Sequence, residues 1–106
     1  MNTFHSTLAS SGTDLVVCDF YTTWCGPCKL MMPKLVSMAS RLQTEGVRFY
    51  KVNCNADFKP IGKTLGIKVA PTFHLYREGK LLATMTGAKE VELEALVEAH
   101  LVPAAA

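Results

Sequence analysis

The 106-residue chain is long enough for one domain with a hydrophobic core, and 49% of its residues are apolar. No stretch approaches the about 18 consecutive apolar residues of a membrane span. The net charge of +2 is too small to indicate a nucleic-acid-binding protein. We therefore expect a soluble monomer, a single domain over residues 1–106 with a frayed tail at 102–106, that binds neither membranes nor nucleic acid.

The beginning of the chain predicts a short helix and no secretory signal. Residues 1–5 lack the basic and hydrophobic regions of such a signal. Thr3 can cap a helix on which Phe4 and Leu8 lie one turn apart. The four cysteines of the chain are not spaced as a structural disulfide framework, which suits a reducing compartment.

Residues 15–20 are the first predicted strand, because this short run is apolar and rich in β-branched residues. Asp19 lies within it, and we expect the strand to be buried on both faces. Burial usually raises the pKa of a carboxyl group, which would let Asp19 accept a proton from a resolving cysteine near neutral pH. Alternatively, Asp19 caps the turn that follows the strand, and the sequence leaves both interpretations open.

A Cys-x-x-Cys pair, Cys25 and Cys28, lies where this strand ends and a helix begins. Apolar residues at helical spacing predict the helix from residue 25 to about residue 44: Leu30, Leu35, Met38 and Leu42. Unpaired backbone N–H groups and the positive end of the dipole at a helix start stabilise a thiolate, which favours Cys25 as a nucleophile. Cys28 lies one turn deeper on the same face, within reach of the same sulfur.

The residues around the two cysteines suit the same chemistry. Trp24 precedes the pair, Gly26 lets the backbone of another chain approach the sulfurs, and Pro27 has no intrahelical N–H bond to lose. Attack by Cys25 on a disulfide, followed by resolution by Cys28, is the mechanism that this arrangement allows.

Two other interpretations of the cysteine pair are weaker. A structural disulfide across so short a loop would contribute only about 2 kcal/mol, against about 4.7 kcal/mol for a loop of 100 residues. A zinc site would need two more ligands close together. The remaining candidates are scattered singly along the chain: His5, Cys18, Cys54, His74 and His100. We therefore expect redox chemistry without a metal or an organic cofactor.

Residues 47–53 alternate as a second strand, in which Lys51 shares a face with Val47 and Phe49. A lysine on a core face requires a buried acidic partner, for which Asp19 is the obvious candidate. The alternative is a lysine that reaches past the sheet edge into solvent, and the sequence does not distinguish the two.

The second half of the chain predicts a helix at 57–65, a hairpin with strands at 72–76 and 80–85, and a final helix that opens at Gly87. Four apolar residues should face inward from the final helix: Val91, Leu96, Val97 and Leu101. Because only about 5–6% of X–Pro bonds are cis, the local sequence gives no reason to expect one before Pro71.

The two cysteines outside the pair differ in context. Cys54 follows the second strand among turn-forming residues, so it is either exposed and open to redox modification or a small buried hydrophobe. Cys18 lies inside the first strand, where we expect an inert thiol.

Together these residues resemble the thioredoxin family. The run from Trp24 to Lys29 resembles its active site, Asp19 stands at its buried aspartate, and Lys51 at the lysine beside that aspartate. Further matches follow along the chain: Pro33 with the helix-kink proline, Ala70, Pro71 and Thr72 with the segment that holds a cis proline, and Gly87 with the glycine beside the substrate groove. The resemblance implies a dithiol–disulfide oxidoreductase whose apolar surface around these residues receives the substrate.

The same resemblance implies an α/β thioredoxin fold, with a central mixed sheet flanked by helices. The family has a short strand before its first helix, and this chain begins at that helix, so we expect four or five strands. Ala70 stands where a β-branched residue is commoner, which reduces contact area beside Pro71.

Within the family, short segments resemble the plastid f-type: residues 54–55, 59–60, 65–69 and 86–89. This resemblance implies reduction by ferredoxin-thioredoxin reductase in the chloroplast stroma. It also implies light-dependent activation of photosynthetic carbon-metabolism enzymes through their regulatory disulfides, and makes Cys54 a candidate for glutathionylation. Two alternatives remain open. One is a cytoplasmic or bacterial thioredoxin reduced by an NADPH-dependent reductase, and the other is a binding module without turnover.

Overall fold

The structure, a computed structural model, describes residues 2–23, 25–54 and 59–101. Its elements in chain order are α1 (Asn2–Ser10), β1 (Leu15–Tyr21), α2 (Gly26–Leu42), β2 (Val47–Asn53), α3 (Lys59–Thr64), β3 (Thr72–Arg77), β4 (Lys80–Thr86) and α4 (Glu90–Ala99). A short 3-10 turn, Gln43–Glu45, extends α2. None of the helices within these ranges is both long and apolar enough to cross a membrane.

The described strands form one mixed sheet in the order β2-β1-β3-β4. β1 pairs with β2 in parallel and with β3 antiparallel, and β3 pairs with β4 antiparallel. This confirms the predicted α/β architecture and the predicted hairpin, with four strands in the part of the chain that the structure describes. The parallel register places Asp19 beside Lys51, at the end of β1 that leads into the cysteine pair.

Helices cover both faces of the sheet because side chains of β1 alternate between two apolar clusters. Leu15 and Val17 pack with the buried faces of α2 and α4. Val16, Cys18 and Phe20 pack against α1 on the opposite face. Asp19 shares the alternation of Leu15 and Val17, so its side chain belongs to the face that α2 covers.

Helix boundaries and faces depart from the sequence prediction in several places. α1 begins at Asn2, so Thr3 lies inside the helix and is not its cap. The last helix begins at Glu90 and not at Gly87, whose φ of 93° is not helical. Residues 55–58, at the start of the predicted third helix, and the predicted frayed tail at 102–106 lie outside the described residues.

Two residues predicted to face the core are exposed. Leu30 in α2 is 73% exposed and Val91 in α4 is 77% exposed. The buried face of α2 consists of Cys28, Met31, Leu35, Met38 and Leu42. That of α4 consists of Leu93 and Val97. The rest of both predicted stripes is confirmed, because Leu35, Met38, Leu42 and Val97 are buried and Leu96 and Leu101 pack against the core.

Candidate active site

Cys25 and Cys28 are joined by a disulfide at the N-terminus of α2, with their Cα atoms 5.2 Å apart. Cys25 is the N-cap residue, with extended backbone angles, and its sulfur accepts a hydrogen bond from the backbone N–H of Cys28 at 3.0 Å. The N–H groups of a first helical turn have no intrahelical acceptor, so this donor is available to the sulfur. Once the disulfide is reduced, the same N–H and the helix dipole stabilise a thiolate on Cys25.

The two cysteines differ in access. Cys25 is 8% exposed and Cys28 is 3% exposed. Gly26 and Pro27 between them are exposed, and Pro27 lies in the first turn of α2 as predicted. Trp24 lies outside the described residues.

The segment Ala70–Pro71–Thr72 lies against the disulfide. The sulfur of Cys25 is 3.4 Å from the carbonyl oxygen of Ala70. The Ala70–Pro71 peptide bond is cis, as the family resemblance implied and as the local sequence did not indicate. Pro71 is fully buried, and the hydroxyl of Thr72 donates a hydrogen bond to the carbonyl of Val69.

Gly87 is hydrogen-bonded to this segment. Its backbone N–H donates to the carbonyl oxygen of Pro71 at 2.9 Å, which ties the loop after β4 to the residue beside the disulfide. The φ of 93° at Gly87 lies in the region that favours glycine. The structure therefore brings Cys25, Ala70, Pro71 and Gly87 together, although they are far apart in the sequence.

Asp19 is 4% exposed, and neither of its carboxylate oxygens has a hydrogen-bond partner within the described ranges. Burial raises its pKa from 3.8 to about 6, and the positive charge of Lys51 partly opposes this shift. The interpretation of Asp19 as a turn cap is therefore wrong, because a cap would accept a backbone hydrogen bond. Cys28 lies on the buried face of α2, and the alternation of β1 puts Asp19 on the sheet face that α2 covers.

Lys51 is exposed, which favours the alternative of a lysine that reaches past the sheet edge. Its head group is not buried, but the buried Asp19 is its charge partner across the β1–β2 pair, without a hydrogen bond between the two side chains. Its ammonium nitrogen lies 5.9 Å from the centroid of the Tyr21 ring. Lys51 thus acts on Asp19 at a distance, as a supporting charge.

Cys54 is half-buried, between the two states that the sequence left open. Its sulfur lies 3.9 Å from the carbonyl oxygen of Val52. Burial, and secondarily the charge of Asp19, raises the pKa of the Cys54 thiol. Cys18 is buried, and burial raises the pKa of its thiol to about 12, which is consistent with an inert role.

Two clefts, each of about 360 Å³, flank the disulfide. One lies beside Ala70 and includes Cys54, Lys63 and Lys68 in its lining. The other adjoins Cys28 on the side of Tyr21, Thr23, Lys29, Met32 and Asn53. The sequence did not point to Tyr21, Thr23, Met32 or Asn53, although the alternation along β1, which places Tyr21 with Asp19, would have indicated Tyr21. Within the described parts of the chain, no group of three or more His, Cys, Asp or Glu residues could hold a metal ion.

Comparison with known proteins identifies the family. The thioredoxin family model matches residues 1–99. Chloroplastic thioredoxin F of Oryza sativa subsp. japonica is 46% identical over 97 residues, which cover 92% of this chain and 51% of that protein. The crystal structure of Chlamydomonas reinhardtii thioredoxin f2 superposes with a TM-score of 0.90 at 52% identity, over 96% of this chain and 93% of that one. The chain therefore belongs to the thioredoxin family.

The same relatives confirm the resemblance to the f-type group. Thioredoxin f2 in a crystal structure of its complex with ferredoxin:thioredoxin reductase is 41% identical, with a TM-score of 0.86 and coverage of 92% of this chain and 87% of that chain. This chain spans about half the length of the curated chloroplastic relatives that it matches, for example 52% of Arabidopsis thaliana thioredoxin F2.

Proposed function

We propose that this protein is a dithiol–disulfide oxidoreductase that reduces disulfides in other proteins. The observation that carries the proposal is the position of the Cys25 sulfur. It caps α2, accepts the N–H of Cys28 at 3.0 Å and lies 3.4 Å from the carbonyl of Ala70. A structural disulfide would need neither a helix N-terminus nor an adjacent carbonyl.

The reaction takes place in two thiol–disulfide exchanges. The Cys25 thiolate attacks one sulfur of the target disulfide, which forms a mixed disulfide and releases the other target sulfur as a thiolate. The Cys28 thiolate then attacks the Cys25 sulfur, which forms the Cys25–Cys28 disulfide and releases the second target thiolate. Two electrons pass from the dithiol to the target, and a reductase must supply them again.

Asp19 takes the proton from the Cys28 thiol before the second exchange. Its buried carboxylate has no hydrogen-bond partner within the described residues, and its pKa of about 6 leaves it ionised but basic near neutral pH. Its place in the layer that α2 covers puts it on the buried side of the cysteine pair, where the shielded Cys28 lies.

The target segment binds beside Cys25, along the surface of Ala70, Pro71, Thr72 and Gly87 and next to Gly26. Trp24, which precedes Cys25 in the sequence, is expected to contribute to this binding. The carbonyl of Ala70 points at the Cys25 sulfur, so an extended target segment can pair with this backbone while its disulfide meets Cys25. The exposed Gly26 leaves room for that approach.

We propose that the partners are those of the plastid f-type relatives. The electrons would come from ferredoxin-thioredoxin reductase in the chloroplast stroma, and the targets would be carbon-metabolism enzymes activated in the light. The f-type relatives and the reductase complex of one of them support this assignment. No metal or organic cofactor takes part in the exchange. Cys54 is half-exposed and so within reach of an oxidant, but its raised pKa makes uncatalysed glutathionylation slow at neutral pH.

The test is a coupled reduction assay with two electron donors. We expect the protein to reduce insulin disulfides when ferredoxin-thioredoxin reductase supplies electrons, at a rate at least tenfold above that with an NADPH-dependent reductase. Cys25→Ser is the control and should show no turnover with either donor. Turnover only with the NADPH-dependent enzyme would refute the plastid assignment, and a wild-type protein inactive with both donors and with dithiothreitol would refute the reductase proposal.

A further inference from the structure

Lys51 is exposed, yet its charge acts on the buried Asp19, and the position of its ammonium group therefore matters. The parallel register sets Asp19 of β1 beside Lys51 of β2. Tyr21 follows Asp19 by two residues in β1, so their side chains lie on the same face of the sheet. The Lys51 nitrogen lies 5.9 Å from the Tyr21 ring centroid, within the range of a cation–π contact.

The surroundings of Asp19 contain little else that could compensate its charge. In the described chain, Lys51 is the cation that lowers the pKa of Asp19. The other titratable groups that feel its charge are two thiols, Cys18 on its own strand and Cys54 after β2, and Cys28 of α2 is held in the disulfide. β3 contributes Phe73 as its cross-strand neighbour, and the buried residues of α4 are apolar. His74, on the next position of β3, packs on the opposite face with Phe20.

We propose that Tyr21 is a positioning residue for the disulfide-exchange reaction: its ring holds the ammonium group of Lys51 beside the Asp19 carboxylate. This inference rests on the proposed function, in which Asp19 accepts the proton of Cys28. A flexible lysine at a sheet edge would otherwise extend into water, where its charge is screened. The face of the ring keeps the charge near the buried acid without a salt bridge.

The consequence is a defined shift in the titration of Asp19. Without the ring, the ammonium group moves outward, its field at the carboxylate weakens and the pKa of Asp19 rises from about 6. Fewer molecules then carry the carboxylate near neutral pH, and the acid limb of the Cys28 resolution rate moves to higher pH.

The experiment is an NMR titration of the Asp19 carboxyl carbon in the disulfide form of the whole chain, in which Cys25 and Cys28 do not titrate. Tyr21→Met removes the aromatic ring and keeps an apolar side chain. Tyr21→Phe is the matched control, because it keeps the aromatic ring. We expect Tyr21→Met to raise the pKa of Asp19 by about 0.5 units or more, and Tyr21→Phe to leave it unchanged. Lys51→Met should raise the pKa of Asp19 at least as much as Tyr21→Met does. In the double variant, Tyr21→Met should cause no further rise of this pKa beyond that of Lys51→Met.

Three outcomes would overturn the inference: an unchanged titration in Tyr21→Met, an equal shift in Tyr21→Phe, or additive shifts in the double variant. A merely structural role of Tyr21 would lower the melting temperature without moving the titration. If Tyr21→Met does not fold, Tyr21→Trp takes its place, and the inference then requires an Asp19 pKa at or below that of the wild type. Because the titration needs no turnover, it is independent of the reductase assay. If Tyr21→Met shifts the pKa of Asp19 but the wild-type protein does not reduce disulfides, the proposed function is wrong and the role of Tyr21 in placing Lys51 still holds.

Discussion

At the scale of a single residue, the burial of Asp19 lowers the stability of the fold and raises the basicity of its carboxylate. A buried carboxyl group without a hydrogen-bond partner opposes folding whenever it must be charged. The same desolvation raises the pKa of Asp19 to about 6, which makes it a useful base near neutral pH. A well-satisfied aspartate would stabilise the fold and would be too weak a base for a thiol.

Replacement of Asp19 by asparagine should therefore stabilise the protein in a pH-dependent way. Because the pKa of this carboxyl is about 6 in the folded state and 3.8 as the unperturbed value, the folded state binds its proton more tightly. The wild-type free energy of unfolding then falls as the pH rises from below 4 to above 6, and roughly 2 kcal/mol of this fall lies between pH 4 and pH 8. Asp19→Asn lacks this loss, so its advantage over the wild type should be about 2 kcal/mol larger at pH 8 than at pH 4.

Denaturant unfolding of both proteins at pH 4 and pH 8 measures this difference. Comparing the variant with the wild type at each pH cancels the titration of groups that both share, such as His74, whose pKa is lowered by burial. An advantage of equal size at the two pH values would show that Asp19 titrates normally and would remove the basis for its role as a base.

At this scale the sequence predicted Cys25 and Cys28 well, because a Cys-x-x-Cys pair between a strand and a helix places one sulfur at a helix N-terminus. It also predicted the burial of Asp19, since the surrounding run is apolar. It did not predict where Lys51 would point. The alternation of β2 groups Lys51 with Val47 and Phe49, but β2 is an edge strand of the described sheet, and a long side chain can reach water from there.

At the scale of elements, two connections build the surface beside the disulfide. The loop before β3 supplies Ala70 and Pro71, and the loop after β4 supplies Gly87, whose N–H donates to Pro71. β3 and β4 pair directly, so the hairpin fixes both loops at one end of the sheet, next to the start of α2.

Replacement of Gly87 by alanine should lower both stability and activity. A Cβ there would meet only the side chain of Lys89, at 3.6 Å, so the expected loss of about 1 kcal/mol comes from the backbone, whose φ is 93°. Relief of that strain moves the N–H that holds Pro71, and we expect insulin reduction to slow several-fold. Gly79→Ala is the matched control, because Gly79 has a φ of 78°, a Cβ there would meet nothing within 4 Å, and it lies in the distant hairpin turn.

Thermal unfolding and insulin reduction of the two variants test this prediction. Both should lose similar stability, and only Gly87→Ala should lose activity. Equal activity in the two variants would mean that the hydrogen bond from Gly87 to Pro71 does not hold the substrate surface.

The elements also mark the limit of sequence analysis. The strands were predicted nearly to the residue, because β-branched runs between turn residues are distinctive. The buried faces of α2 and α4 were predicted except for Leu30 and Val91, which are apolar residues on the solvent side. The cis bond at Pro71 depends on tertiary contacts, and only the family resemblance indicated it.

At the scale of the whole molecule, the fold brings basic and acidic residues from separate stretches of the sequence into ion pairs. The acidic α4 lies along the basic α2, with Lys34 paired to Glu90 at 2.9 Å and Arg41 paired to Glu94 at 2.6 Å. These exposed pairs contribute little stability, but they neutralise that side of the molecule. Within the described chain, Lys29, Lys63 and Lys68 form no ion pair, and all three line the clefts beside the disulfide.

Three lysines without an ion pair in the described chain therefore lie around the disulfide, although the net charge is only +2. Unpaired positive charges around a binding site attract acidic protein surfaces and accelerate encounter at low ionic strength. Composition alone could not show this, because it depends on which charges the fold pairs.

The measurement that tests the account most directly is the trapping of a mixed disulfide. Cys28→Ser can attack a target but cannot resolve it, so incubation with an extract of photosynthetic tissue should leave target proteins attached through Cys25. Mass spectrometry of the captured proteins should identify carbon-metabolism enzymes, and Cys25→Ser, with its intact Cys28, should capture none. Adducts that form through Cys28 in Cys25→Ser, or no adducts in Cys28→Ser, would contradict the assignment of Cys25 as the nucleophile.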